Sequence, residues 1–472
     1  MPVSAAYRPA PRFPALGGAF FDAVEPACFP TSRIRYRNDR WAARIGLEDL
    51  DGQEWEQHFA RFEPLPGNLD RPLALRYHGH QFMVYNPNLG DGRGFLFAQL
   101  IDARDGRLLD LGTKGSGQTP WSRGGDGRLT LKGGVREVLA SEMLEALGVS
   151  TSKNLSLIET GESLHRGDEP APTRSAVLVR LSHSHVRFGN FQRLSYLKDG
   201  ASLRNLLDYC IENYMPELAL SGNRPAAFLR EVSRRSAALC ASWMMAGFVH
   251  GVLNTDNMNV TGESFDYGPY RFLPALDPAF VAAYFDHGGL YAYGRQPLIV
   301  RWNLERLADA LRPLATEASL SEALDGYEHD LDLALQAGFL SRLGLRALGP
   351  ESDARLLAVA SEFLEESGAG FEQFFFDWRG GMGAERRAMN GPAGARYAGG
   401  PFASFRRALE TYEPEARAVR AHPYFEGVRP CALLVDEVEK IWEAIADRDD
   451  WSLFDAKIAR IGEMRDAYGG QT

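Results

Sequence analysis

Cysteine is scarce: four occur in 472 residues, Cys28, Cys210, Cys240 and Cys431, far apart and never as a Cys-x-x-Cys pair. That spacing excludes a disulfide framework and a structural zinc site. A positive charge excess is also missing. Lysine and arginine number 52 against 62 aspartates and glutamates, a formal net charge of −10, so the basic footprint of a nucleic-acid binder is not there. Long apolar runs are few. The opening MPVSAAYRPAPRFP lacks the continuous apolar stretch of a signal peptide. Residues 236–253 carry no charge over 18 positions, but their serines, histidine and glycines read as a buried core helix rather than a membrane span. These absences lead us to expect a cytoplasmic protein without membrane or nucleic-acid partners. No exposed apolar stripe is evident, so a monomer is expected.

Glycine, by contrast, is abundant. Its 48 copies are about 10% of the chain, against a usual ~7%, and they cluster. The length exceeds what one hydrophobic core usually supports, so two lobes are expected. Residues 1–72, rich in proline and aromatics, read as an extended arm wrapping the rest. Residues 73–195 hold short β-like runs, GFLFAQLID, GRLLDLGT, NLSLIETGE and SAVLVRLS. One helix, GGVREVLASEMLEALGV, interrupts them, with apolar side chains at helical spacing and Gly148 as its stop. Residues 196–472 turn helical and include a C-terminal extension. The fold class is therefore α+β, and a small strand-rich lobe before a larger helical one is the outline of a protein-kinase-like bilobal fold. The glycine-rich residues 379–400 read as a mobile loop.

Four segments carry chemistry. In NLGDGRG, Gly90, Gly92 and Gly94 alternate ahead of a strand; this is either a phosphate-approaching loop or an ordinary hairpin turn. In DLGTKGSGQTPWSRGGD, Lys114 closes a β-like run among glycines without the phosphate-loop spacing. A strand lysine can pair with nucleotide phosphates while a helix carboxylate holds it, and Glu137 is the natural partner; the alternative is a solvated lysine. HGVLNTDN followed by FDYG repeats the order of a kinase catalytic loop. His250 is in place, Val252 stands where the catalytic Asp belongs, and Asn257 follows five residues later. Asn257 and Asp266 are hard oxygen ligands suited to magnesium, and Asp256 is the nearest carboxylate able to replace the missing base. In RLSHSHVR, Arg180 and Arg187 suit bidentate phosphate binding. His183 and His185 there could share a strand face as metal ligands, a reading that also extends to His78 and His80.

Together, YHGHQFMVYNPNLGDGRG, LGTKGSGQTPWSRGGDGRLTLKGGVREVLASEMLEALGV, VLVRLSHSHVRFGNFQRL and HGVLNTDNMNVTGESFDYGPYRFL resemble the selenoprotein O family, also called the YdiU family, over about residues 75–314. The resemblance implies a kinase-fold protein that binds ATP in reversed orientation and transfers AMP to Ser, Thr or Tyr hydroxyls of protein substrates. It also implies magnesium or manganese as the metal, with uridylylation from UTP for some bacterial members. By position it assigns Gly90, Gly92 and Arg93 to the nucleotide loop and Lys114 to the phosphates, with Glu137 as its partner. It likewise assigns Asp126 and Gly127 to nucleotide contacts, and Arg180 and Arg187 to the reversed phosphates. Asp256 becomes the base, and Asn257 and Asp266 the metal ligands. Two departures stand out. The terminal AYGGQT has no cysteine or selenocysteine on which a redox switch could be built, and the pattern departs after about Phe376, as in a shorter subgroup. Ordinary γ-phosphoryl transfer and a catalytically inert nucleotide-binding module are the rival readings.

Overall fold

A computed structural model describes residues 3–167, 170–419 and 422–469. The strands are β1 (Phe21–Ala23), β2 (Arg33–Arg37), β3 (Leu73–Leu75), β4 (Gly79–Gln81), β5 (Val84–Asn86), β6 (Leu96–Ile101), β7 (Leu108–Lys114), β8 (Leu129–Thr130), β9 (Lys153–Leu164), β10 (Thr173–Ser182), β11 (Phe248–Val249) and β12 (Arg271–Phe272). The first six helices are α1 (Asp39–Arg44), α2 (Gly52–Phe59), α3 (Leu131–Ala146), α4 (Phe188–Tyr196), α5 (Gly200–Tyr214) and α6 (Arg224–Met245). After them come α7 (Gln296–Leu311), α8 (Glu317–Leu324), α9 (Tyr327–Leu343), α10 (Pro350–Ser367) and α11 (Phe371–Trp378). The last five are α12 (Glu385–Asn390), α13 (Gly399–Leu409), α14 (Ala416–Val419), α15 (Val435–Arg448) and α16 (Ser452–Ala467). None of the helices among the described residues is long and apolar enough to cross a membrane.

The main sheet runs in the order β1-β3-β6-β7-β10-β9-β2, with β8 paired to β10. Its pairs are antiparallel. Side chains alternate across the pleat. Val177 and Val179 join Trp55, Phe59 and Phe97 in a core beneath α1 and α2, whereas Ala176 and Leu178 join the core of α3. The sheet's two edge strands, β1 and β2, both come from the first 72 residues, so the segment that reads as an arm supplies sheet and a covering layer. Its low periodicity has a simple cause: the strands are three and five residues long.

Two further expectations change. The uncharged run at 236–253 is helical only to Met245, then turns at Gly247 into β11; glycine is needed there because a Cβ would sit 2.6 Å from the Phe371 ring. Residues 379–400 are not an open loop but two 3-10 turns and α12, with Ala388 fully buried. The aromatics Phe374, Trp378, Phe402 and Phe405 form a second core that these turns close over.

The C-terminal helix α16 packs on α3 through a buried charge pair. Arg465 Nη2 donates to Glu142 Oε2, and Glu142 Oε1 also accepts from Tyr36 Oη and Asn38 Nδ2, each at 2.9 Å. Arg465→Ala strips the main cation from a buried carboxylate. It is expected to destabilise the fold by about 3 kcal/mol, read as an earlier thermal unfolding transition; an unchanged transition would show that Arg40, whose Nη2 lies 3.7 Å from Glu142 Oε2, compensates alone.

Candidate active site

One cleft, with a volume of about 800 Å3, is lined by Gly90, Gly92, Arg93, Lys114, Asp126, Gly127, Arg180, Arg187, Asp256, Asn257 and Asp266. Glu137 lies behind it, on α3. The strand β7 ends at Lys114, and α3 begins at the N-cap Thr130, whose hydroxyl accepts from Gly133 N–H. This places Glu137 two turns along the buried face of α3. Lys114 Nζ donates to both Glu137 Oε1 and Asp266 Oδ1, joining β7, α3 and the DYG segment at one ammonium. Asn257 Nδ2 donates to Asp266 Oδ2 at 3.1 Å.

Asp266 holds φ +67°, a left-handed conformation rare for a non-glycine residue. Burial alone would raise its pKa, but Lys114, Arg180, Arg187 and Arg93 outweigh it and hold the carboxyl well below the usual range. Asp256 is the opposite case. It is 8% exposed, its Oδ1 has no hydrogen-bond partner, and burial pushes its carboxyl up to about 6 despite nearby Arg187.

The two arginines are held by their surroundings. Arg187 stacks over Tyr77 at 4.3 Å and Phe265 at 5.0 Å, donates to the Asp256 backbone carbonyl at 3.0 Å and to Asp91 Oδ1 at 3.2 Å. Arg180, from β10, lies 3.6 Å from Asp266 Oδ1. Nε and Nη1 of Arg180 and Nε of Arg187 are buried without a hydrogen-bond partner. Buried donors without a hydrogen bond are costly, and the two guanidinium groups give this wall of the cleft a positive charge suited to an anion. Asp126 is turned partly away: it accepts from Arg166 at 2.8 and 3.0 Å. At Gly127, φ is +70° and a Cβ would stand 2.2 Å from the Gly117 carbonyl carbon, so only glycine fits.

The NLGDGRG segment is not a hairpin turn, because it leads from β5 to β6, which belong to different sheets. A Cβ on Gly90 would meet the Trp121 ring at 2.4 Å; the glycine lets the loop lie against that indole. The histidine pairs separate. The strand β10 ends at Ser182, so His183 and His185 do not share a strand face. His183 packs edge-on to Tyr214, and the His185 ring sits against Gly112. His78 Nδ1 meets Tyr85 Oη at 2.8 Å, and His80 Nδ1 meets Gln192 Nε2 at 2.9 Å. Among the described residues no group of three or more His, Cys, Asp or Glu could hold a metal by itself. Asn257 and Asp266 do lie side by side, joined through the Asn257 amide nitrogen, and two such oxygen-bearing side chains suit a hard cation whose remaining ligands come from phosphates.

Several cleft residues escaped the sequence reading, among them Tyr77 under Arg187. Asp91 anchors Arg187, and its signal was its place between two loop glycines. Trp121 backs Gly90, and Arg123, exposed at the mouth with φ +49°, adds charge; both lie in the glycine-rich stretch after Lys114. Arg166 gave no local signal, since it arrives from the loop after β9.

Comparison with known proteins identifies the family. The family model described as "Protein adenylyltransferase SelO" matches residues 3–462. A protein nucleotidyltransferase YdiU of Synechocystis is 45% identical over 96% of this chain and 97% of its own length. That of Gloeobacter violaceus is 46% identical over 97% and 95%. The Vibrio cholerae protein of the same name is 40% identical over 77% of this chain and 73% of its own. The match therefore extends well beyond residues 75–314 and through the region after Phe376, where a departure was expected; the terminal residues 470–472 lie outside the described residues. The chain belongs to the SelO family and is an enzyme of the nucleotidyltransferase class.

Proposed function

We propose that the chain is a protein adenylyltransferase that moves AMP from ATP onto Ser, Thr or Tyr hydroxyls of proteins, in a kinase-like bilobal cleft holding the nucleotide reversed. The observation that carries this reading is Asp256, whose Oδ1 accepts no hydrogen bond, in one cleft with Arg180 and Arg187, whose Nε atoms donate none. With its carboxyl pushed up to about 6 by burial, Asp256 can take a proton near neutral pH, and the arginine side chains offer positive charge to an anion. A strand lysine held by a helix glutamate, followed by His250, Asn257 and Asp266 in that order, supports the kinase-like arrangement.

In this scheme the acceptor oxygen attacks the α-phosphorus and its proton passes to Asp256. The bond from the α-phosphorus to the bridging oxygen breaks, and pyrophosphate leaves. Lys114, Arg180 and Arg187 neutralise the charge that gathers on the departing group. Gly90, Gly92, Arg93, Asp126 and Gly127 line the rest of the nucleotide path. Asn257 and Asp266 would hold magnesium or manganese, which supplies charge neutralisation on the phosphates when bound. Val252, which lines the cleft where an ordinary kinase has its Asp, disfavours γ-phosphoryl transfer. An inert module would need no proton acceptor beside the phosphates. UTP as an alternative donor belongs to the same chemistry, since the transferred phosphorus is again the α one.

Incubating the protein with magnesium or manganese, a mixed protein extract and ATP labelled at either the α or the γ phosphate tests the reading. Label entering protein from the α position alone is the expected result. Label from the γ position makes the enzyme a kinase, and ATP binding without any incorporation favours the inert module.

A further inference from the structure

Just outside the cleft, next to the segment that carries Asp256, stands an apolar rim; of its hairpin only Gln81 lines the cleft itself, and its most exposed part stands on a strained turn. The strands β4 and β5 form a hairpin in which Gln81 pairs with Val84, leaving Phe82 and Met83 as a two-residue turn. Both have positive φ, +49° and +64°. Such turns ordinarily use Asn-Gly, because bulky side chains are disfavoured in the left-handed region. Here two large apolar residues occupy it and remain 39% and 43% exposed, with Val84 beside them at 69%. Across from the hairpin, Phe285 meets the Phe82 ring at 6.0 Å, and Tyr284 beside it is 78% exposed.

The hairpin is fastened to the residues around Asp256. His80 N–H donates to Thr255 Oγ1 at 2.7 Å, and Phe82 N–H donates to Asn254 Oδ1 at 3.1 Å. At the hairpin's base Gly79 is so close that a Cβ there would lie 3.0 Å from Asp256 Oδ1. One end of the hairpin therefore lies next to Asp256 and the other displays the apolar tip. The nucleotide-side wall, by contrast, carries Arg93 and Arg123.

We infer that this rim, formed by Phe82, Met83, Val84, Tyr284 and Phe285, docks the acceptor polypeptide by a bulky apolar side chain flanking the hydroxyl that is modified. The inference rests on the proposed AMP transfer to proteins: a hydroxyl reaching Asp256 brings its chain neighbours past the hairpin. Strain spent on exposing apolar side chains fits a binding role, and the position next to Asp256 selects the acceptor segment as occupant.

The test uses the full chain with α,β-methylene ATP and fluorescent peptides that carry one serine flanked by leucine and phenylalanine, by glycine, by aspartate or by lysine. The apolar-flanked peptide is expected to bind at least about tenfold tighter than the glycine one, the effect of burying one large apolar side chain. Val84→Asp should remove that advantage, while Leu220→Asp, at a 99% exposed site in another part of the chain, should keep it. Equal binding of all peptides, preference for a charged one, or an advantage that survives Val84→Asp overturns the inference. So does a Val84-dependent dimer in sedimentation, or Val84-dependent binding to phospholipid vesicles in place of peptide. With hydrolysable α-labelled ATP, loss of transfer alongside an intact binding preference would sink the AMP-transfer reading and leave the docking surface standing.

Discussion

Asp266→Ala is expected to lower AMP transfer by at least about a thousand-fold, the scale of removing a principal charge-organising group from a phosphate-transfer site. The carboxylate is shared among three partners: Lys114, Asn257 and, at 3.6 Å, Arg180. It is also one of the two proposed metal ligands. Removing it leaves Lys114, Arg180 and Arg187 without their common counter-charge. The consequence is a split that a merely unfolded variant would not show. With metal chelated, ATP affinity should hold or tighten, since three cations lose an internal competitor, while transfer in the presence of metal is lost. Circular dichroism and thermal unfolding establish that the variant is folded. Transfer at the wild-type rate would refute the assignment of Asp266.

The second large effect concerns Asp256. Asp256→Asn should reduce kcat by about a hundred- to ten-thousand-fold, the range for loss of a general base, with KM for ATP changing little. The replacement keeps the side chain's size, which matters because Gly79 leaves so little room beside Oδ1. It also keeps the arginine in place, since Arg187 donates to the Asp256 backbone carbonyl rather than to its carboxylate. A rate within tenfold of wild type would show that the acceptor proton leaves by another route; a large rise in KM for ATP would make Asp256 a nucleotide-binding residue instead.

Legibility in the sequence followed how local each signal was. The helix α3 was readable because its apolar spacing and its glycine stop lie within one segment, and the His250, Asn257 and Asp266 order was readable because the three residues fall within one short stretch of chain. The strands β6, β7, β9 and β10 showed as apolar runs between glycines. The first 72 residues were not readable as sheet, because edge strands of three to five residues draw their stability from partners such as Leu73–Leu75 and β9, far away in the chain. Residues 379–400 looked like loop because glycine and alanine dominate them, yet the aromatic core beneath fixes them as turns. Arg166 reaches the cleft through the loop after β9, and no pattern around it announces that.

The sequence by itself determined the residue types of the chemistry: a strand lysine, a helix glutamate, two arginines, and an aspartate and an asparagine followed by a second aspartate. Side-chain identity sets charge and ligand hardness whatever the fold. The pairing of Lys114 with Glu137 was legible in the sequence too; only the tertiary structure decided which of the other groups compensate one another. It ties Lys114, Glu137 and Asp266 into one network, leaves Asp256 Oδ1 and the Nε atoms of Arg180 and Arg187 without hydrogen bonds, and hangs an apolar hairpin beside them. Partnership depends on a few ångströms between segments more than a hundred residues apart, as between Lys114 and Asp266, and burial makes that choice consequential, because an unpaired polar group away from water is costly until a ligand meets it.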